Sequence, residues 1–332
     1  VESVARIAVV IPYFQREPGL LQRALGSVAA QDYSPFQVVV VDDGSPRPAT
    51  DEITQRLRDT LPRLTMLRQL NRGISAARNA ALEALHPEVT AVALLDSDDF
   101  WAPSHLRYAA EALSRGGDFF FSNARVEGEQ QNYFDENPYR QILYGSSEVA
   151  PGIALWSAGL AALFSGGCPF ATPSVVFRRA LMPQVRFPLN FRRAGEDQVV
   201  FWQLLTRAGL ILFSTEVTVT IGRGVGTWRS ATLGTREHLI VVADEIHLRR
   251  HVLSEYPITG DDRRLMRRAL YSRRSIALRS TLHLLRRRHN VIPELLYLFR
   301  ADPFSVVWWS VALPKTLYRW TLAKLQTRPA PQ

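Results

Sequence analysis

Two runs of carboxylates in this 332-residue chain have the composition and spacing to do chemistry: Asp42 and Asp43 in "VVVVDDGSP", and Asp96, Asp98 and Asp99 in "LLDSDDFW". Acids packed as closely as those in the second run repel one another, so a divalent cation or a set of hydrogen-bond donors must compensate. A hard cation held by one or two carboxylates, with phosphate oxygens in its remaining positions, is the usual arrangement for Mg2+ or Mn2+ on a nucleoside diphosphate. Each run follows an apolar segment. Residues 38–41 are four consecutive valines, and a strand without polar alternation is one covered on both faces. The second run follows "AVALL". Both acid runs therefore fall at the carboxyl ends of predicted strands, the edge at which open α/β sheets bind ligands. Asp-Gly-Ser is also an ordinary turn sequence, so the first run by itself leaves a structural reading open.

The elements that must position these acids alternate along the first 125 residues. Strands are predicted at 6–11, 37–41, 64–67 and across "AVALLDSDD", and helices at 20–31, across Ile53, Leu57 and Leu61, and from Ser75 to Leu85. In the helix at 20–31, Leu21, Ala24, Leu25 and Val28 share one face. Such alternation predicts an α/β fold with a mainly parallel sheet flanked by helices. A helix opened by "APSHL" and the strand "DFFFSNARV" follow. Residues 127–170 are rich in Gly, Ser, Asn and aromatic residues and read as long functional loops. Regular signals return with "SVVFRRAL" and with "GEDQVVFWQLLTRAG", a helix whose acids lie in the first turn and whose Gly209 lies at the end.

Five segments in this order, "IPYFQR", "VVVVDDGS", "NRGISAARN", "DSDDFW" and "GEDQVVFW", resemble family 2 glycosyltransferases over about residues 6–210. The resemblance implies an inverting, nucleotide-sugar-dependent enzyme with the GT-A fold, a Rossmann-like nucleotide-binding sheet. Carried over position by position, it implies that Pro12 and Phe14 line a nucleobase pocket and that Asp43 accepts from a uracil-like ring nitrogen, with Asp42 as the alternative if the register is off by one. Arg78 would approach the diphosphate, as would Arg72. Asp96 would lie near the ribose and Asp98 on the metal, Mn2+ or Mg2+, with Asp99 as a competing ligand. "GED" implies Asp197 as catalytic base, with Glu196 beside it in the substrate site. The chemistry asks for the same residue types. An attacking sugar hydroxyl needs a carboxylate to accept its proton, and the departing diphosphate needs positive charge. An acid at a helix amino end is also favoured by the helix dipole alone.

One departure stands out. Many relatives carry a histidine some thirty residues after the acidic helix motif, whereas "IGRGVGTWRSA" at 221–231 contains none; Arg223 and Arg229 are the basic residues there. Dehalogenase-like phosphatases also place Asp-x-Asp at a strand end, but they leave "DDGS" and "GED" unexplained, and a nucleotidyltransferase would want a Gly-rich loop where this chain has "PYFQREPG". A non-catalytic glycan- or partner-binding protein of the same fold is the alternative function, disfavoured by the joint presence of Asp43, Asp98 and Asp197.

The charge divides the chain. The net +9 arises from residues 260–332, with 15 Lys or Arg against 4 Asp or Glu, while residues 1–259 hold 25 against 27. The expected organisation is a catalytic domain over 1–259 and a basic, aromatic-rich helical extension over 260–332. Within 263–288, Leu265, Ala269, Ile276, Leu278, Leu282 and Leu285 form the predicted apolar face of a basic amphipathic helix. "ELLYLFRADPFSVVWWSVALPKTLYRW" adds the Trp, Tyr, Leu and Arg that suit a bilayer interface, interrupted before it could span. The expected partners are a nucleotide-sugar donor, a saccharide or lipid-linked saccharide acceptor and an anionic membrane surface, with no nucleic acid. The opening "VESVARIAVV" lacks the marks of a signal peptide, and the single Cys168 fits a reducing compartment as a small buried hydrophobe. The expected location is therefore cytoplasmic and peripheral on the membrane.

Overall fold

The computed structural model describes residues 5–61, 63–157, 159–160, 168–183, 185–191, 194–223, 232, 234–258 and 260–314. They form two compact units, one of residues 1–189 with 196–225 and one of 190–195 with 226–332.

The first unit runs β1 (Ile7–Tyr13), α1 (Leu20–Ala29), β2 (Phe36–Asp42), α2 (Gln55–Thr60), β3 (Leu64–Arg68), α3 (Ile74–Glu83), β4 (Ala91–Leu94), β5 (Phe100–Trp101), α4 (His105–Ser114), β6 (Phe119–Val126), α5 (Arg140–Gly145), β7 (Glu148–Ala150), β8 (Ile153–Leu155), β9 (Val175–Arg178), α6 (Glu196–Leu205) and β10 (Ile211–Ile221). Among the described residues the strands make one sheet in the order β3-β2-β1-β4-β9-β6-β10-β8-β7, with β5 paired to β10. The first four strands are mutually parallel, and β10 is parallel to β6. β9 runs antiparallel to both of its neighbours, β4 and β6. The all-apolar runs of β1 and β2 are explained by cover on both faces. Ile7, Val9 and Ile11 pack with Leu21, Leu25 and Leu106 of α1 and α4. Ala8, Val10, Val39 and Val41 point the other way and are equally buried, on the side where α3 packs across β1 and β2.

Residues 211–221, for which the sequence gives no strand signal, form the long strand β10, which pairs with β5, β6 and β8. Its register slips between Ser214 and Val217 and again between Val217 and Val219. Such bulges break the two-residue period by which a strand is recognised. The stretch 127–170 is not all loop, for it holds α5 and the short β7–β8 pair.

The second unit contains α7 (Arg236–Glu255), α8 (Gly260–Arg286), α9 (Ile292–Ala301) and helical residues 304–314. Leu239, Val242, Ala243 and Ile246 of α7 bury Leu270, Ala277 and Leu284 of α8 and Leu298 of α9. This unit opens earlier than residue 260, because α7, unassigned from the sequence, packs with the helices that follow it. The apolar face of α8 is also not the predicted one. Met266, Leu270, Ala277, Leu278, Thr281 and Leu284 are buried, whereas Leu265 and Leu285 are exposed. The buried face also takes in Arg274, which periodicity alone assigns to solvent. Its Nε and Nη2 donate to the two oxygens of the wholly buried Asp302 at 2.6 and 2.9 Å, and Arg250 adds a third contact at 3.3 Å. No helix of the described residues is long and apolar enough to cross a membrane.

Candidate active site

The carboxyl ends of β1, β2 and β4 lie side by side, and polar side chains lace their loops together. Gln15, just past β1, donates from its backbone N to Ser45 Oγ at 2.8 Å and from Nε2 to Ser97 Oγ at 3.1 Å. Ser45 Oγ in turn donates to the carbonyl of Gln15 at 2.9 Å. The three loops that carry the expected nucleobase, ribose and metal residues are thus one bonded unit. Gln15, Ser45 and Ser97 were missed from the sequence, where single polar residues in loops give no signal.

The two aspartates after β2 do different work. Asp42 accepts from the backbone N of Ser45 at 2.8 Å and of Ala49 at 3.0 Å, so it shapes its own turn. Gly44 permits that turn, with φ +65° and a position where a Cβ would stand 2.8 Å from Asn71 N. Asp43 reaches outward to the loop between β3 and α3. Its Oδ1 accepts from Gln69 Nε2 at 2.7 Å and Arg72 N at 2.9 Å, and its Oδ2 from Gly73 N at 2.8 Å. A carboxylate offers about four lone-pair directions, which leaves Oδ2 one acceptor position for a ligand N–H. The Arg72 side chain is exposed beside it, Phe14 is 40% exposed at the end of β1, and Pro12 is buried within that strand.

Beyond β4 the acids separate by environment. Asp99 is buried and its Oδ1 accepts from Gly222 N at 2.7 Å; burial, Asp96 and Asp98 hold its pKa well above the usual carboxylate range. Asp98 is half-buried, and burial together with the Asp96 charge pushes its pKa up to about 6. Arg23 steadies this loop from outside, donating from Nη2 to the Asp98 carbonyl at 3.3 Å while Nη1 bonds Glu127 at 2.7 Å.

Arg78, expected at the diphosphate, is only 2% exposed and its charge is already engaged. Nη2 bonds Asp96 Oδ1 at 2.8 Å and Nη1 bonds Glu196 Oε1 at 3.0 Å. Burial opposes the charge, but Asp96, Glu196 and Asp197 outweigh it and raise the guanidinium pKa further. Glu196 is pushed up to about 7, by burial first and by Asp197 second, against the lowering effect of Arg78. Asp197 is the more accessible member of the pair. Its Oδ2 accepts from Thr172 Oγ1 at 2.7 Å and its Oδ1 from Gln198 N at 2.7 Å, so two donors fix the carboxylate at the first turn of α6. Arg223 is spent on Glu127, donating from Nε to its carbonyl at 2.9 Å, while Arg229 lies outside the described residues. Burial pushes the Cys168 thiol pKa up, which suits an inert residue.

Residues 8–158 match the family described as Glycosyl transferase family 2. The chain is also 32% identical over 242 residues to the succinoglycan biosynthesis protein ExoW of Rhizobium meliloti, an alignment covering 68% of this chain and 72% of that protein. The chain belongs to glycosyltransferase family 2. Two solved structures share its architecture. S. aureus TarS 1–349 in complex with UDP-GlcNAc has 19% identity and a TM-score of 0.55, covering 84% of this chain and 72% of that one. The mannosyltransferase PcManGT of Pyrobaculum calidifontis in complex with GDP-Man and Mn2+ has 16% identity and a TM-score of 0.57, covering 96% and 83%. At these identities the likeness is one of fold, and it agrees with the expected GT-A sheet.

The acids of this family 2 glycosyltransferase suit a hard divalent cation better than a buried structural one. Among the described residues no three His, Cys, Asp or Glu side chains come together as a metal cage. Asp99 has an oxygen taken by Gly222, whereas Asp98 carries unfavourable charge that a cation would relieve. One or two protein carboxylates with the other positions left to phosphate and water is the donor set expected for Mg2+ or Mn2+.

Proposed function

We propose that this enzyme transfers a sugar, with inversion, from a nucleoside-diphosphate donor, a UDP-sugar, to a saccharide hydroxyl in polysaccharide biosynthesis. The observation that carries the reading is the placement of Asp197, a fixed and accessible carboxylate at the amino end of α6, connected through Glu196 and Arg78 to the Asp96 loop. Asp197 would accept the proton of the attacking hydroxyl as the new bond to the anomeric carbon forms. Asp43 would take the nucleobase N–H, and Phe14 and Pro12 would bound its pocket. Asp98 would hold a divalent cation, which when bound supplies charge stabilisation to the leaving diphosphate. The relatedness to ExoW supports the polysaccharide assignment, and the UDP-GlcNAc complex of TarS supports the donor class.

A panel of nucleotide sugars, assayed for nucleoside diphosphate release with Mn2+, tests this reading. UDP-sugars are expected to give enzyme-dependent release. Because the proton and the cation compete for Asp98, whose pKa burial and Asp96 push up to about 6 without metal, release at limiting Mn2+ should fall as the pH drops below about 6, and excess Mn2+ should move that fall to lower pH. Release from none of the panel would remove the assignment.

The second unit supports a membrane-surface role for this transferase. Phe304, Val307 and Val311 are 64%, 65% and 62% exposed on one side of the helix at 304–314, and Ile292 and Leu296 are exposed on α9. Arg286, Arg287 and Arg288 lie in the same unit, and each basic residue near an anionic surface contributes about 1 kcal/mol. The full chain is expected to sediment with vesicles of mixed anionic and zwitterionic phospholipid, less so at high salt. Val307→Glu with Val311→Glu should abolish recovery without altering nucleotide affinity. Undiminished recovery of that double variant would reject this surface.

A further inference from the structure

We infer that Arg78 is a positioning residue, whose single guanidinium sets the spacing between the donor-side loop at Asp96 and the acceptor-side end of α6 at Glu196 and Asp197. The inference rests on the site reading above but assigns Arg78 and Glu196 a role other than contact with substrate.

Three segments distant in sequence meet at this side chain. Nη2 faces Asp96 Oδ1 at 2.8 Å and Nη1 faces Glu196 Oε1 at 3.0 Å, so the fork spans two carboxylates rather than gripping one. The group is sealed from solvent, and its Nε has no partner within the described residues, so the two Nη contacts carry its hydrogen bonding. The Phe187 ring lies 5.2 Å from the guanidinium carbon. That ring is itself fixed by the next residue of α3, since Asn79 Nδ2 donates to the Phe187 carbonyl at 2.9 Å and Phe187 N donates to Asn79 Oδ1 at 2.8 Å. The "ARN" segment therefore has a mechanical explanation: Arg78 forms the bridge and Asn79 holds the aromatic cover over it. A cation meant for a diphosphate must be reachable by one, and this cation is enclosed.

The consequence for the reaction is geometric. Asp96 stands two residues before Asp98, and Glu196 stands one residue before Asp197. A shift in either contact moves one side of the reaction relative to the other, and misplacement by about 1 Å can cost on the order of a hundredfold in rate. Lysine keeps the charge but is a point donor without the fork, so it can satisfy one carboxylate and leave the other.

Arg78→Lys and Glu196→Gln, alone and combined, test the bridge. Turnover and nucleoside diphosphate affinity are measured with Mn2+, and amide hydrogen exchange is followed in residues 95–99 and 196–199. Arg78→Lys is expected to lose at least about tenfold in turnover while nucleotide affinity changes less, with faster exchange in both segments together. The double variant should be no worse than the poorer single one, because both remove the same link. Turnover above half of normal in Arg78→Lys, additive losses in the pair, or exchange that rises in only one segment would overturn the inference. Should Arg78→Lys fail to fold, Glu196→Gln must by itself quicken exchange at 95–99 across the bridge, and unchanged exchange there overturns it equally. Paired exchange changes in a chain that binds no nucleotide would leave the bridge standing and remove the donor-site reading instead.

Discussion

Asp197→Asn should reduce sugar transfer by at least about a hundredfold while nucleoside diphosphate affinity stays within about threefold of normal. The substitution keeps the shape of the side chain and an oxygen able to accept from Gln198 N, which donates to Asp197 at 2.7 Å. It removes the charge and the basic oxygen that faces Thr172. General-base catalysis acts on the transition state, where the hydroxyl proton is in motion, far more than on the bound donor. The fold should tolerate the change, since an acid in the first turn of a partly buried helix end contributes at most about 2 kcal/mol through the dipole. Two further effects oppose each other. Asp197 is one of the groups that raise the pKa of Glu196, so its neutralisation favours the charged form of Glu196, but the support that Asp197 lends to the Arg78 cation is lost at the same time. Turnover above about a tenth of normal would take Asp197 out of the base role.

The parts of the site that were legible in the sequence are those whose signal is local. Unbroken apolar runs marked β1, β2 and β4, and a strand end followed by acids placed Asp43 and Asp98 on one edge of the sheet. "GED" before an apolar helix placed Asp197 at the amino end of α6. What escaped was non-local. β9 inserts antiparallel between β4 and β6, although it follows β8 in the chain, and nothing within "VVFR" specifies those partners. Arg78 has the sequence context of a helix residue free to meet a phosphate, and only the approach of Asp96 from one loop and Glu196 from another turns it into a buried bridge. Asp43 shows the same limit in milder form, because two of its three donors are backbone N–H groups of Arg72 and Gly73, which no side-chain pattern reveals. In α8 the residue on the core side is Arg274, neutralised by Asp302 from beyond α9, so hydrophobic periodicity pointed to a face rotated from the real one.

Gly222→Ala should weaken Mn2+-dependent nucleotide binding and turnover by about tenfold or more, although residue 222 belongs to none of the acid motifs. Gly222 follows β10 and its N–H donates to Asp99 Oδ1 at 2.7 Å. A Cβ there would lie 1.8 Å from the Asp98 carbonyl oxygen, 2.9 Å from its carbon and 2.8 Å from Arg23 Nη2. The arginine tip can swing aside, but the carbonyl is backbone and cannot move without carrying the Asp98 side chain with it. Arg23 holds that loop through the same carbonyl, at 3.3 Å, with its guanidinium 4.5 Å from the centre of the Phe100 ring. The methyl must therefore displace the loop by more than about 1 Å or open the Asp99 bond, at a cost of about 1–3 kcal/mol as in other overpacked sites. Both routes move the carboxylate proposed to hold the cation. Gly26→Ala provides the contrast, because Gly26 lies in α1 with nothing within 4 Å of its added Cβ. It should be neutral or stabilising by up to about 1 kcal/mol, with normal turnover. Titration of nucleoside diphosphate with and without Mn2+ separates the two variants. Gly222→Ala should lose the Mn2+-dependent part of its affinity and retain the metal-independent part proposed for Asp43 and Phe14. An unchanged response to Mn2+ would mean that the loop can absorb the methyl without moving Asp98, and that the close approach of β10 does not set the metal site.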